Sequence, residues 1–423
     1  MLHRHSLRAS VMTRPSPFTL LADSLQLHGS PLWCYDALTI RERVNSLREF
    51  DTIRYAQKAC SNLHILRLMH EQGLQVDAVS IGEVERALIA GFRASGSPAG
   101  IVFTCDLLDQ TTLKRVVELG VEVNAGSIDM LRQLGECSPG HRVWLRINPG
   151  FGHGHSRKTN TGGENSKHGI WHEQIQDALA VIREFRLELV GVHMHIGSGV
   201  DYSHLEQVAR AMVLLVGSLG QDIEAFSIGG GLSTPYHRED VAVDIQRYAR
   251  TWAAAKQEIE ALLGHPVRME IEPGRFLMAE SGYLVCEVRA VKRMGKHNYV
   301  LVDAGFNDLM RPAMYGAFHH MTLIDANGQP VDRPQQPTIV GGPLCESGDI
   351  FTQDEQALRP QSLPQAKVGD LLVFHDAGAY GSSMSSNYNS RPLLPEVLLV
   401  NGQSRLIRRR QPLSALYELE LGL

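Results

Sequence analysis

The sequence predicts a (β/α)8 barrel followed by an all-β domain. Eight short apolar runs alternate with helical patterns through the first two thirds of the 423 residues, and this alternation indicates a parallel sheet. Eight such units over roughly 220 residues fit a (β/α)8 barrel, which typically takes about 250. A doubly wound open sheet is the alternative, but no G-x-G-x-x-G follows the first predicted strand.

The eight apolar runs are the predicted strands of the barrel. They cover residues 52–56, 74–79, 101–105, 121–125, 143–147, 187–193, 225–228 and 267–271. The helical patterns between them cover residues 61–71, 82–90, 111–119, 174–183, 204–219 and 243–263.

After about residue 280 the apolar runs continue without long helices between them, which predicts an all-β domain of about 140 residues. Its predicted strands are 285–291, 299–302, 338–340, 370–375 and 397–400. Asn327-Gly328 and Asn401-Gly402 are typical hairpin turns. We therefore place the barrel at 31–278 and the β-domain at 279–423. In the N-terminal segment 1–30, we expect the first ~15 residues to be disordered and the remainder to join the β-domain.

Composition and charge narrow the class of protein. A net charge of −5 argues against a protein that binds nucleic acid or an anionic membrane, and no apolar stretch is long enough to cross a bilayer. Six scattered cysteines without a C-x-x-C pair indicate free thiols in a reducing compartment, so we expect a cytoplasmic protein. The first 22 residues carry three arginines and no acid, as in a transit peptide, but we favour an extended start with Met12 as an alternative initiator.

Polar side chains lie at or just after the ends of six of the eight predicted strands, and three glycines follow a seventh. Because the carboxyl ends of barrel strands meet at one mouth, we expect these groups to line a common site. They are Lys58, Asp77 with Ser80, Asn124, Arg146 with Asn148, His193 with His195, Gly229-Gly230-Gly231, and Glu272.

Three of these groups together indicate a pyridoxal phosphate site. Lys58 follows a buried strand, and a buried lysine with a lowered pKa is the nucleophile of Schiff-base chemistry; an ion-paired or snorkelling lysine is the alternative. The glycines 229–231 expose backbone N–H groups that can hold a phosphate, although a tight turn would explain them equally well. Glu272 can keep a pyridine nitrogen protonated.

The chain resembles the fold-type III pyridoxal phosphate decarboxylases, and among them the bacterial diaminopimelate decarboxylases of the enteric type. The resemblance runs from Pro31 almost to the C-terminus and implies an alanine-racemase-like barrel with a C-terminal β-domain. It rests on the ordered motifs Y-A-Q-K-A (55–59), H-M-H-I-G-S (193–198), G-G-G (229–231), E-P-G-R (272–275), R-P-A-M-Y-G (311–316), C-E-S (345–347), G-A-Y (378–380) and N-Y-N-S-R-P (387–392).

The resemblance implies a role for each site residue. Lys58 and Cys345 would be catalytic, Lys58 through a Schiff base with the cofactor and Cys345 as the acid that returns a proton after carbon dioxide leaves. The implied cofactor-binding residues are Lys58, Asp77, Arg146, His195, Ser198, Gly229, Gly230, Gly231, Glu272, Gly274, Arg275 and Tyr380. The implied substrate-binding residues are Arg275, Arg311, Tyr315, Glu346 and Tyr380. Cys345 and Glu346 would reach into the site of a second subunit, so the resemblance implies a homodimer.

The charges of these residues suit meso-diaminopimelate as the substrate. Two arginines can grip a carboxylate that is not destroyed, and Glu346 can pair with an ammonium. The predicted reaction is decarboxylation at the D-centre to L-lysine. The alternatives are decarboxylases of ornithine, arginine or carboxynorspermidine, an alanine-racemase-like activity, or a non-catalytic cofactor carrier. We expect no metal, because no H-E-x-x-H or comparable ligand set accompanies the pairs His153/His155 and His319/His320.

Overall fold

The protein is described by a computed structural model that covers residues 17–152, 160–197 and 202–423. The helices of these residues are α1 (Pro17–His28), α2 (Ala37–Asn45), α3 (Leu63–Glu71), α4 (Ile81–Ala90), α5 (Gln110–Leu119), α6 (Ile128–Cys137), α7 (Ile175–Glu184), α8 (Tyr202–Leu219), α9 (Ile245–Leu263), α10 (Arg275–Met278) and α11 (Arg311–Tyr315).

The strands fall into two sheets. They are β1 (Leu32–Asp36), β2 (Thr52–Ala56), β3 (Gln75–Ala78), β4 (Ile101–Cys105), β5 (Glu122–Ala125), β6 (Arg142–Asn148), β7 (Ile170–Trp171), β8 (Glu188–His193), β9 (Ala225–Ser227), β10 (Arg268–Ile271), β11 (Gly282–Met294), β12 (His297–Val302), β13 (Met321–Ile324), β14 (Gln335–Gly341), β15 (Gln361–Pro364), β16 (Leu371–Phe374), β17 (Glu396–Val400) and β18 (Gln403–Arg408).

The first sheet is a closed parallel barrel. Its order is β5-β4-β3-β2-β10-β9-β8-β6, and pairing of β5 with β6 closes it. Closure confirms the predicted barrel over the open doubly wound sheet. Each of the eight predicted strands is present, and the structure adds helix α6, which the sequence patterns did not identify. That helix begins after Ser127, whose hydroxyl accepts a hydrogen bond from the backbone N–H of Met130.

Local sequence signals explain why the barrel elements begin and end where they do. Helix α5 is capped by the preceding Asp109, whose carboxylate accepts a hydrogen bond from the N–H of Thr112 at 2.9 Å. It ends at Gly120, which takes a left-handed conformation with φ of 64°. Strand β2 is buried along its whole length, as expected where helices cover the outside of a parallel sheet.

The second sheet forms the core of the β-domain. Its order is β15-β14-β12-β11-β1-β17-β18, with β16 paired to β11 and β13 to β16. The predicted all-β domain is confirmed, and the Asn401-Gly402 turn joins β17 to β18 with positive φ at both residues. Strand β1 corrects the prediction, because it lies in the range 31–278 assigned to the barrel but pairs with β11 and β17 of the second sheet.

Helix α1 lies against the second sheet. Its Leu21 and Leu25 are buried in a cluster with Leu32 of β1, Val285 of β11 and Val397 of β17. The residues 1–15, for which disorder is predicted, lie outside the described part of the chain. No helix among the described residues is long and apolar enough to span a bilayer.

A loop of the β-domain contacts the barrel at the turn that carries Lys58. The backbone N–H of Tyr380 donates to the carbonyl oxygen of Ala59 at 2.8 Å, and the hydroxyl of Ser383 donates to the same oxygen at 3.1 Å. The two sheets therefore meet at the carboxyl end of the barrel strands, where the polar groups were predicted to gather.

Candidate active site

A cavity of about 730 Å³ opens at the carboxyl end of the barrel, and both parts of the chain contribute to its wall. Most of the predicted site residues line it. They are Lys58, Asp77, His195, Gly230, Gly231, Glu272, Gly274, Arg275, Arg311, Tyr315 and Tyr380.

Five predicted site residues are not among those on the cavity wall. Arg146 and Gly229 are buried close to it: the charge of Arg146 acts on His195, and a Cβ on Gly229 would lie 2.7 Å from the Cβ of that histidine. Cys345 and Glu346 are exposed and lie elsewhere on the surface. Ser198 falls outside the described residues.

Lys58 reaches the cavity from a short turn, Gln57–Ala59, just past the end of β2. The strand before it and both of its neighbours are buried, but Lys58 itself is exposed. The prediction that this lysine is buried is therefore wrong. Because of this turn, the side chain of Lys58 lies outside the core and lines the cavity, where a ligand can reach its amine.

Glu272 follows β10 and is held by two partners. The hydroxyl of Ser227 donates to its Oε1 at 2.7 Å, and Nε2 of His193 lies 3.1 Å from its Oε2. Burial alone would raise the pKa of Glu272, but the contacts with His193 and Ser227 bring the pKa well below its ordinary value. Glu272 is thus an ionised carboxylate inside the cavity, and its remaining lone pairs can accept a further hydrogen bond.

Asp77 and His195 are two further ionisable residues that line the cavity together with Lys58. Burial, and then the charge of Glu272, raise the pKa of the Asp77 carboxyl. Burial, and then the charges of Arg146 and Lys58, lower the pKa of His195 well below its usual value. The imidazole of His195 is therefore neutral at pH 7, and it can pack against an aromatic face without bringing a charge with it.

Close packing explains why glycines occupy the turn at residues 229–231. A Cβ on Gly230 would collide with the carbonyl of Glu272, and one on Gly231 would collide with the carbonyl of Gly197. Gly231 also has φ of 94°. The N–H of Glu272 donates to the carbonyl of Gly229 at 2.8 Å, which ties this turn to the end of β10. The tight-turn alternative is therefore confirmed, and the same packing brings the backbone of Gly230 and Gly231 to the cavity wall.

Arg275 and Arg311 both contact the hydroxyl oxygen of Tyr236. This tyrosine is not among the residues predicted from the sequence. Nη1 of Arg275 donates to the hydroxyl oxygen at 2.9 Å and Nη1 of Arg311 at 3.1 Å. Neither guanidinium contacts a carboxylate among the described residues. Burial, and the nearby charge of Arg275, lower the pKa of Arg311. Two cations side by side, Arg311 buried and Arg275 half-buried, indicate a site for an anionic ligand.

Cys345 and Glu346 lie on a loop with defined support. The N–H of Cys345 donates to Oδ1 of Asn389 at 2.9 Å, and the N–H of Leu344 donates to Oδ2 of Asp349 at 2.7 Å. The loop therefore places an exposed thiol and an exposed carboxylate on the surface of this chain, and neither residue is among those on the cavity wall.

The predicted histidine pairs have different surroundings. His319 is buried, and its Nδ1 donates to the carbonyl of His375 at 2.9 Å, whereas His320 is exposed. Within the described residues no three His, Cys, Asp or Glu side chains are grouped as metal ligands. His153 and His155 lie outside those residues.

The cavity fits pyridoxal phosphate. It has an amine at Lys58, an ionised carboxylate at Glu272, and glycine backbone whose close packing leaves no room for side chains. Oδ1 of Asp77 is buried without a hydrogen-bond partner among the described residues, so it can accept a bond from a bound polar group.

Comparisons with known proteins agree with this chemistry. Residues 39–279 match the family model described as "Pyridoxal-dependent decarboxylase, pyridoxal binding domain". The diaminopimelate decarboxylase of Escherichia coli strain K12 is 62% identical over 395 residues, covering 93% of this chain and 94% of that protein. The Streptomyces coelicolor diaminopimelate decarboxylase is 61% identical, covering 95% and 91%. A crystal structure of diaminopimelate decarboxylase superposes with a TM-score of 0.94 at 60% identity, covering 99% of this chain and 100% of that one.

Proposed function

The chain belongs to the diaminopimelate decarboxylases, a family of pyridoxal-dependent enzymes, and on this premise we propose how its residues perform the reaction. The reaction is decarboxylation of meso-diaminopimelate at its D-centre, which gives L-lysine and carbon dioxide in the last step of lysine biosynthesis. The observation that carries the substrate assignment is the pair of adjacent guanidinium groups of Arg275 and Arg311, in the same cavity as Lys58.

Pyridoxal phosphate, when bound, supplies an electron sink for the electron pair left at the substrate α-carbon as carbon dioxide departs. Lys58 would bind it covalently, and Glu272 would accept a hydrogen bond from the protonated ring nitrogen. The low pKa of Glu272 favours this role, because an ionised carboxylate keeps that proton on the ring. Neutral His195 would stack on the ring.

Backbone and polar side chains would hold the rest of the cofactor. Gly229, Gly230, Gly231, Ser198 and Tyr380 would surround the phosphate. Asp77, Arg146, Gly274 and Arg275 would complete the cofactor site.

The distal half of the substrate decides specificity. After binding through its D-centre, meso-diaminopimelate keeps a carboxylate and an ammonium at its L-centre. Arg275 and Arg311 would bind that carboxylate, with Tyr315 and Tyr380 beside it, and Glu346 would bind the ammonium. Ornithine has no carboxylate at that end, so both guanidiniums, including that of buried Arg311, would lack an anionic partner; the penalty is about 2–5 kcal/mol when one side of a buried charge pair is missing.

We propose that the enzyme is a homodimer with shared sites. Cys345 would return a proton to the reacting carbon, yet it is exposed and is not on the cavity wall of its own chain. A second subunit that presents its Cys345 and Glu346 to this cavity would complete the site.

The six cysteines of this chain are free thiols, which supports a cytoplasmic location for the protein.

The direct test is carbon dioxide release by the purified holoenzyme on a panel of amino acids. We expect meso-diaminopimelate to be turned over and L-ornithine, L-arginine and carboxynorspermidine to react at least 30-fold more slowly, as the lower end of that penalty implies. Comparable kcat/KM values for L-ornithine and meso-diaminopimelate would overturn the substrate assignment. Alanine racemisation without carbon dioxide release would overturn the reaction, and no activity of either kind would favour a cofactor carrier.

A further inference from the structure

The hydroxyl of Tyr236 bridges the two arginines. It accepts one hydrogen bond from Arg275 at 2.9 Å and one from Arg311 at 3.1 Å, while its ring lies under both guanidiniums, with Cζ-to-centroid distances of 5.9 and 5.1 Å. Guanidinium groups are donors with no acceptor. A phenol oxygen that accepts from both is therefore a neutral group that can hold two like charges close together.

The O–H of Tyr236 is not used in its contacts with the two arginines and can donate a hydrogen bond to a ligand. A phenol has one O–H donor and two acceptor lone pairs, and both lone pairs are used by the arginines. Tyr236 lines the cavity, so its O–H is a third donor next to the two guanidiniums. Three converging donors match the several lone pairs of a carboxylate, and they do not match an ammonium or a methylene group.

Two sets of contacts fix the position of Tyr236: a ring contact with His319 and hydrogen bonds within its own turn. The ring of His319, which is buried, meets it edge-on with centroids 5.6 Å apart at 80°. The N–H groups of Tyr236 and His237 both donate to Oδ2 of Asp240 at 2.9 Å, which closes the turn after β9. Through its hydroxyl, this barrel turn contacts Arg311 of the β-domain. The spacing of the two guanidiniums therefore depends on Tyr236.

We propose that Tyr236 is a specificity-determining residue that sets the spacing of Arg275 and Arg311 and donates a third hydrogen bond to the carboxylate of the substrate's L-centre. The proposal rests on the function proposed above and adds a residue to its distal site. The ring alone is not enough for this role, because only the hydroxyl can accept from both arginines and donate to a ligand.

The test compares two ligands that differ by one carboxylate. L-Lysine, the product, keeps the carboxylate of the L-centre, whereas 1,5-diaminopentane has the same carbon chain and amines without it. Binding of each to the holoenzyme is measured by isothermal titration calorimetry for wild type and Tyr236→Phe. We expect the Kd of L-lysine to rise about tenfold or more, as loss of a hydrogen bond to a charged group implies, and the Kd of 1,5-diaminopentane to change less than twofold. The KM for meso-diaminopimelate should rise with it, with a smaller change in kcat.

Tyr202→Phe is the matched control, because it also removes a phenol hydroxyl with two backbone hydrogen bonds, to the N–H and carbonyl of Asp244, outside the cavity. It should leave both Kd values unchanged. If Tyr236→Phe weakens the two ligands equally, or leaves L-lysine binding unchanged, the carboxylate role is wrong. Failure of the proposed function is a separate result: wild-type holoenzyme would then bind the two ligands alike or release no carbon dioxide from meso-diaminopimelate.

Discussion

Replacing Arg311 with lysine keeps the positive charge and removes the planar fork, so it tests how the distal carboxylate is bound. Arg311 is 6% exposed and donates through Nη1 to Tyr236, which leaves Nη2 and Nε for other partners. Nε is buried without a partner among the described residues. A lysine ammonium is a point donor and cannot bond Tyr236 and a carboxylate with the same fixed geometry.

The expected loss follows from the number of bonds. If one hydrogen bond to a charged group is lost, the net cost is about 1.5–3 kcal/mol. At about 1.4 kcal/mol per tenfold, kcat/KM for meso-diaminopimelate should fall about 10- to 150-fold in Arg311→Lys. Steady-state kinetics of carbon dioxide release measure this value, and thermal unfolding of the holoenzyme checks that the variant is folded.

The matched control is Arg333→Lys. Arg333 also uses its guanidinium in a charged contact, with Nη2 at 2.7 Å from both carboxylate oxygens of Asp370, but it lies outside the cavity. It should keep kcat/KM near the wild-type value. A loss of less than threefold in Arg311→Lys, or an equal loss in the control, would refute the reasoning that the fork of Arg311 binds the substrate.

Three further predictions concern the covalent anchor, the second subunit and the pH dependence of stability. Borohydride reduction of the holoenzyme followed by peptide mapping should place the cofactor label on Lys58, and a label on another lysine would contradict the assignment. Mixing inactive Lys58→Ala with inactive Cys345→Ala subunits should restore partial activity, because some hybrid dimers contain one intact site; no recovery despite demonstrated subunit exchange would place Cys345 in the site of its own chain. Burial and the charge of Arg311 lower the pKa of His319 to about 3, so the unfolded state binds more protons and this group's contribution to stability falls as pH drops from about 6.5 towards 3, by up to about 1.4 kcal/mol per pH unit. His319→Asn should show a shallower decline in the free energy of unfolding over that window, measured by denaturant titration at each pH, and an unchanged slope would contradict the shifted pKa.

The barrel and its mouth could be predicted from the sequence because their signals are local. Each barrel strand is a short apolar run next to an amphipathic helix, and that pattern follows from covering a parallel sheet on its outer face. The parallel arrangement then brings groups such as Lys58, Asp77 and Glu272 to one end, so neighbours in the site were expected although they are far apart in the chain. Helix α6 was not identified, although its N-cap, Ser127, is one of the usual signals.

Tertiary structure decided the features that depend on which distant segments meet. Strand β1 has the apolar pattern of any buried strand, and nothing local to it tells whether it pairs with the barrel or with β11 and β17. The exposure of Lys58 depends on a three-residue turn that follows a buried strand. Tyr236 is one tyrosine in a polar loop until folding brings Arg275 and Arg311 to its hydroxyl. The spacing of apolar residues along the chain indicates which segments form helices or strands. It does not indicate which charged side chains meet, because those contacts join segments that are far apart in the sequence.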